Sequence, residues 1–289
     1  MTIEAGINLF SIHQEQSKDY FGALEQVAAA GFTNLELNGI NMSSYTRYID
    51  EIPADTLKEK LKQLGLTAVS AHEMCRPDMN IDAHDWESVW TYYDRLKCYS
   101  IVLPSVWITG REDTLRTAEQ LNVVGLQMRN HGFTFYLHNH AHEFKSIGEQ
   151  TLFDLLIENT DPAYVRFELD LVWVLRAGLD PVDILKKLGD RCDIVHQKDI
   201  SKTTAYPVNL FEAIKQAGVE ELDDFRIYQK YTVPEDHADL GTGTFDFSGI
   251  YKQIHEMDFV RYAIVENEGG TPNKMGSIAN DLQFLKKYL

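Results

Sequence analysis

Cysteine is scarce in this chain. Its 289 residues hold three, Cys75, Cys98 and Cys192, with no CxxC spacing, and an odd, scattered set argues against a disulfide framework. No apolar stretch approaches the roughly 20 residues that cross a bilayer. The opening MTIEAGINLF carries Glu4 and no basic segment, so no signal peptide is expected and the cytoplasm is the default location. Basic residues are also short, with 27 Lys and Arg against 44 Asp and Glu and a formal charge of −17. Neutralising phosphates supplies most of the affinity for nucleic acid, so a surface of this sign would repel a polyanion and nucleic acid is not an expected partner. Neither GxGxxG nor GxxxxGK[ST] follows a predicted strand, which removes the usual nucleotide-binding folds.

What the chain does have is alternation. AGINLFSI (5–12), TNLELNGI (33–40), LTAVSAHEM (66–74), SIVLPSVWI (100–108), FTFYLHNH (133–140), VRFELDLVWV (165–174), CDIVHQKDI (192–200) and RYAIVENE (261–268) read as strands. Between them lie helical segments at 19–31, 53–65, 85–99, 111–132, 148–160, 181–189, 246–257 and 278–289, where apolar residues such as Leu57, Leu61 and Leu64 recur at helical spacing. Strands alternating with helices over short connections predict βαβ crossovers and a parallel sheet. Eight such units in this length predict a single-domain α/β (β/α)₈ TIM barrel over residues 1–289, since such barrels commonly take about 250 residues. The long departure, 201–244, follows the seventh strand, contains a short predicted helix at 209–218, and is expected to wall or cover the active face.

Chemistry in such barrels sits at the C-terminal ends of the strands. There the sequence places His72 and Glu73 (third strand), Trp107 (fourth), His138, Asn139, His140 and Glu143 (fifth), Glu168, Asp170 and Trp173 (sixth), His196, Lys198 and Asp199 (seventh), and Glu266 and Glu268 (eighth). Strands five to eight each present a carboxylate or imidazole, and a mixed oxygen and nitrogen set suits one divalent ion, Mn²⁺, Co²⁺, Mg²⁺ or Zn²⁺.

The motifs YLHNHAHEF, FELDLVW, VHQKD, LGTGTFDFSGIYKQI and YAIVENE, in this order, resemble the sugar phosphate isomerase/epimerase group of the xylose isomerase-like TIM-barrel superfamily, in its HNHxxEF subgroup. The resemblance spans essentially the whole chain and is strongest from 134 to 268. It implies that Asp170, His196 and Glu266 bind the metal. The keto-sugar epimerases carry a glutamate where this chain has His138; the resemblance implies that Glu143 takes over as ligand and that His140 is free to act as base. The superfamily also contains keto-sugar 3-epimerases, inosose dehydratases, enzymes that cleave oxidised glycosides, and endonuclease IV.

The expected reaction is isomerisation or epimerisation of a sugar or sugar phosphate through a metal-stabilised enediolate. An imidazole starts near the right pKa to remove the proton beside the carbonyl. Glu266 or Glu143 is the expected second acid or base. Lys198 is placed against a substrate hydroxyl, oxyanion or phosphate, His72 and His138 against other substrate oxygens or in support, and Trp107 and Trp173 as apolar walls. The same carbanion could instead expel a β-oxygen, which would make the protein a lyase or dehydratase on an inosose or 3-keto-glycoside. Endonuclease IV-like phosphodiester cleavage would need further metal ligands, and a silent sugar-binding protein would need no complete ligand set. Barrels of this kind often pair, but no segment of the sequence marks an interface for a homo-oligomer.

Overall fold

The computed structural model describes residues 2–76, 79–219, 226 and 229–289. Eight strands form one closed parallel barrel: β1 (Glu4–Asn8), β2 (Asn34–Asn38), β3 (Thr67–His72), β4 (Ser100–Leu103), β5 (Thr134–His138), β6 (Val165–Asp170), β7 (Ile194–Gln197) and β8 (Tyr262–Val265). Each pairs with its neighbour in sequence, and β8 closes on β1 with Ile7 opposite Val265. The (β/α)₈ expectation is met.

The connecting helices start and stop where their caps dictate. The helix Ala54–Leu64 begins behind Pro53 and ends at Gly65 in the left-handed region (φ 68°), as helix-stop glycines do. Asp85, Asp180 and Asp246 each accept a backbone N–H at the start of a helix, which satisfies donors that have no partner inside it. Leu152–Asn159 is opened by Thr151 and Asp154, and a two-residue hairpin, Ser146–Ile147 with Gln150–Thr151, occupies the start of the predicted 148–160 helix. The closing helix runs over Lys274–Leu285 rather than 278–289.

The strand predicted over 165–174 is half helix. It stops at Asp170, whose Oδ1 accepts from the N–H groups of Val172 and Trp173 at 2.9 Å each, and Leu171–Arg176 turns at once into a helix. An aspartate cap outweighs the β preference of Val172 and Val174 because it pairs two otherwise unsatisfied donors. Similarly, β1 ends at Asn8, which caps the turn Leu9–Ile12, and the fourth strand stops at Leu103 before Pro104. Within 201–244 the helix Leu210–Gln216 forms as predicted; 220–225, 227 and 228 lie outside the described residues.

The larger apolar core lies between the sheet and the surrounding helices. Inside the barrel the apolar layer is small: Val102, Tyr136, Ile194 and Ile264. Strand side chains alternate faces, so every second residue returns to the interior about 6.6 Å further on. Two positions beyond Tyr136, Ile194 and Ile264 come His138, His196 and Glu266, all buried. The inside thus changes from apolar to ionisable in one step. No helix among the described residues is long and apolar enough to cross a membrane.

Candidate metal and acid–base site

The ionisable interior is arranged in two tiers. The lower tier holds Glu36 of β2, His72 of β3, His138 of β5, Glu168 of β6 and His196 of β7. Glu168 Oε1 faces His72 Nε2 at 2.9 Å, His138 Nδ1 at 3.0 Å and His196 Nε2 at 3.0 Å. Glu36 Oε1 faces His196 Nε2 at 2.6 Å and His72 Nε2 at 3.0 Å, while Ser70 Oγ donates to its Oε2 at 2.7 Å.

The upper tier is built from the next inward positions: Asp170, Lys198, Glu266 and Glu268. His196 joins the tiers, because its Nδ1 lies 2.8 Å from Glu266 Oε2. His138 does the same on the other side, with Nε2 3.9 Å from Asp170 Oδ2. One donor atom each from His138, Asp170, His196 and Glu266 lies within 4.8 Å of the others; so does one each from His72, His138, Glu168 and His196.

A divalent ion fits the upper group on two grounds. Its donors are two carboxylates and two imidazoles, the mixed set such ions take. Asp170 is fully buried, its Oδ1 is spent on the helix cap, and its Oδ2 has no hydrogen-bond partner. The Lys198 ammonium stands 3.5 Å from that oxygen without a hydrogen bond to it, and a buried carboxylate oxygen that accepts no hydrogen bond gains from a closer cation. Burial pushes the Asp170 carboxyl up to about 6, against the opposing pull of Lys198.

Lys198 supplies part of the positive charge. Its Nζ is 2.8 Å from Glu266 Oε2 and 3.5 Å from Asp170 Oδ2, and it also pairs with Glu268. The ammonium lies 5.4 Å from the centre of the Trp173 ring. Against the cost of burial, these carboxylates raise its pKa. In turn Lys198 and His196 hold Glu266 well below the usual carboxylate range, although burial opposes them.

The HNHAHEF segment contributes more than His138. Burial, reinforced by His142 and Lys198, holds His140 well below its ordinary pKa, so its imidazole is neutral at physiological pH. Its ring stands 5.2 Å from that of His138 and 5.6 Å from that of Trp173. His142 is bonded to the segment after β4, with Nε2 2.8 Å from the Val106 carbonyl. Glu143 is fully buried; its Oε2 accepts from the His140 N–H at 2.9 Å and lies 3.3 Å from His142 Nδ1. Burial pushes the Glu143 carboxyl up to about 8.

The structure therefore brings together Asp170, His196 and Glu266 and adds His138. It does not bring Glu143 into either donor group; that residue sits behind His140. His72 belongs to the lower tier and contacts carboxylates. Trp173 walls the upper tier, while Trp107 packs on His142, ring centres 4.3 Å apart, at the rim. Glu73 is turned to Arg47, 2.8 Å away.

Two residues of the site had no role assigned from the sequence, and a third lies in the long loop. Glu36 was hidden between Leu35 and Leu37, yet Asn34, Glu36 and Asn38 recur at period two in a strand whose five residues are all buried, and that spacing is the signal of a polar inner face. Glu168 stood at a strand end without an assigned role. His237, far along the loop, is brought over the site by a bridge to Ile200. Its buried ring lies edge-on to Trp173 at 6.2 Å, and neither nitrogen has a hydrogen-bond partner.

The likeness to known proteins runs the length of the chain. Inosose dehydratase from Clostridium perfringens is 27% identical over 188 residues, 63% of this chain and 56% of that protein; the match thus spans little more than half of the relative's length. A sugar phosphate isomerase/epimerase from Parabacteroides distasonis superposes with a TM-score of 0.72 at 22% identity, covering 99% of this chain and 94% of the other. A probable 3-DHS dehydratase involved in petrobactin synthesis in Bacillus anthracis gives 0.70 at 15% identity, with 98% and 99% covered. At these identities the two superpositions speak for the fold alone. Residues 24–288 match the xylose isomerase-like TIM barrel family, and the chain belongs to it.

Proposed function

We propose that the protein is a metal-dependent enzyme that removes a proton beside the carbonyl of a sugar-derived ketone and returns it to the neighbouring carbon, as an isomerase, or to the opposite face of the same carbon, as an epimerase. The observation that carries this reading is the upper tier itself, with an Asp170 oxygen that accepts no hydrogen bond and a neutral imidazole beside it. Asp170, His196, Glu266 and His138 would hold the ion. Bound there, a divalent cation polarises a carbonyl and stabilises the negative charge left by proton removal.

The chain's own groups do the rest. His140, neutral because it is buried, accepts the proton from carbon. Glu143 lies behind it and touches its backbone N–H; with a carboxyl pushed up to about 8 it is protonated at neutral pH and adds no competing negative charge. His237 and Trp173 bound the space above Lys198 and restrict entry of water. Lys198 is already matched by Glu266, Glu268 and Asp170, so its charge is not at the disposal of a phosphate dianion. This supports a neutral keto-polyol over a sugar phosphate.

A second reading has its own support. The curated relatives are named inosose dehydratase, and dehydration begins with the same proton removal. The two reactions part at the next step, where the electron pair on carbon expels a neighbouring hydroxyl instead of collecting a proton. His237, whose ring nitrogens face no protein partner, is placed to protonate that leaving oxygen.

The test is incubation of manganese-loaded protein in D₂O with ketoses, sugar phosphates, inososes and 3-keto-glycosides, followed by NMR. Deuterium beside the carbonyl in a rearranged sugar supports the isomerase reading, and deuterium with loss of water supports the dehydratase. Full metal occupancy with no exchange in any substrate would refute both.

A further inference from the structure

Two buried carboxylates, Glu36 and Glu168, take no part in the proton transfer described above, yet between them they face three imidazoles. The nitrogens within reach of Glu168 Oε1 are imidazole nitrogens of His72, His138 and His196. Glu36 Oε1 faces two of the same rings, with Asn8 Nδ2 donating to it at 2.7 Å.

A carboxylate only accepts hydrogen bonds, so a ring nitrogen held against one carries the proton. In a neutral imidazole the lone pair is then on the other nitrogen. For His138 this puts the proton on Nδ1, 3.0 Å from Glu168, and the lone pair on Nε2, the atom facing Asp170. For His196 it puts a proton on Nε2, 2.6 Å from Glu36, and, since Nδ1 lies 2.8 Å from Glu266, a second proton on Nδ1 that a cation would displace. His72 gives an independent check. Asn8 Oδ1 accepts from the Phe10 N–H at 2.6 Å, which fixes the amide so that its Nδ2 points at His72 Nδ1, 3.2 Å away. His72 Nδ1 must accept, so its proton is on Nε2, against the two carboxylates. All three rings obey the same demand from below.

We propose that Glu36 and Glu168 are positioning residues: a carboxylate floor that takes one N–H from each of His72, His138 and His196, and so turns the lone pair of His138 Nε2 toward Asp170 and leaves His196 Nδ1, beside Glu266, as the nitrogen whose proton an ion displaces. The arrangement rests on the upper tier being the metal site. It explains why two glutamates and a third histidine lie where the ion does not need them, since partners of this kind set the orientation and basicity of metal-binding imidazoles.

The experiment is long-range ¹H–¹⁵N NMR of protein labelled at its histidines, metal-free and zinc-loaded, with ion stoichiometry by native mass spectrometry and Mn²⁺ affinity by calorimetry. The wild type and the variants Glu168→Met and Glu36→Met are compared, methionine filling similar space without accepting. Expected are His138 as the Nδ1–H form in the wild type, His196 as the Nε2–H form with zinc, and one ion per chain. Glu168→Met should release His138 to the Nε2–H form, and each variant should bind Mn²⁺ about 10–100-fold more weakly. His138 in the Nε2–H form in the wild type overturns the proposal, and so does a second ion in the lower tier or an affinity unchanged in both variants. Should neither variant fold, the wild-type spectrum decides alone. A wild type with these tautomers but no affinity for any divalent ion would uphold the floor and overturn the metal reading instead.

Discussion

Replacing Glu143 by glutamine separates a buried acid from a metal ligand. Burial pushes the Glu143 carboxyl from 4.5 up to about 8. The folded protein therefore keeps a proton that the unfolded chain has released throughout this interval. Where the folded state binds more protons, stability falls as pH rises. The destabilisation begins as pH passes 4.5, where the unfolded chain ionises, and is complete above about 8, where both states are ionised. At about 1.4 kcal/mol per pKa unit, the interval corresponds to a loss on the order of 5 kcal/mol. Glu143→Gln removes the titration and keeps an oxygen to accept from the His140 N–H. The assay is urea denaturation of both proteins across roughly pH 4 to 9 with chelator present, and the quantity read is their difference, in which other titrations cancel. The wild type should lose ground steadily to the variant up to pH about 8 and no further. Parallel curves would refute the argument. A difference of opposite sign, with the wild type gaining as pH rises, would mean that Glu143 is ionised in the fold, as a ligand would be.

Two further substitutions probe the upper tier. Asp170→Asn keeps the Oδ1 cap on Val172 and Trp173 but turns the other oxygen into an N–H donor; Mn²⁺ affinity should fall at least about a hundredfold, roughly 2.7 kcal/mol, with little change in the melting of the metal-free protein, and retained affinity in calorimetry would remove Asp170 from the site. Lys198→Met leaves Glu266, Glu268 and Asp170 without their shared ammonium, which should cost about 3–5 kcal/mol in the metal-free protein and clearly less with Mn²⁺ bound. Equal costs in denaturation with and without the ion would show that the lysine and the metal do not share the same charges.

The barrel was legible in the sequence because its evidence is periodic and repeated: eight strand-helix alternations support one another even where a boundary is off. Asp170, His196 and Glu266 were legible because they end strands. Glu36 was not singled out, since one glutamate flanked by leucines looks like ordinary strand alternation until the barrel closes and both faces are buried. Where Glu143 lies relative to His138 is set by how the chain turns after His138, and the short helix His142–Phe144 swings Glu143 back behind His140. That turn depends on long-range packing, including the bond from His142 to Val106, 36 residues away. The reach of His237 depends on pairing across an equally long separation.

Asp199 ends the seventh strand's path with a clasp. Its Oδ1 accepts from the N–H groups of Ile200 and Phe245, and its Oδ2 from those of Gly241 and Gly243. Ser201 and Ala238 add backbone bonds to Asp236 and Asp199, so the long excursion is tied shut at its neck. A side chain at Gly243 would collide with the Ile200 carbonyl and the Asp199 carboxylate, which keeps the neck narrow. Once a loop's ends are fastened, its length carries only a slowly growing entropic penalty, about 0.6 kcal/mol per doubling. Fastening the ends at Asp199 thus separates the length of the excursion from the placement of Lys198 and His196 just before the neck.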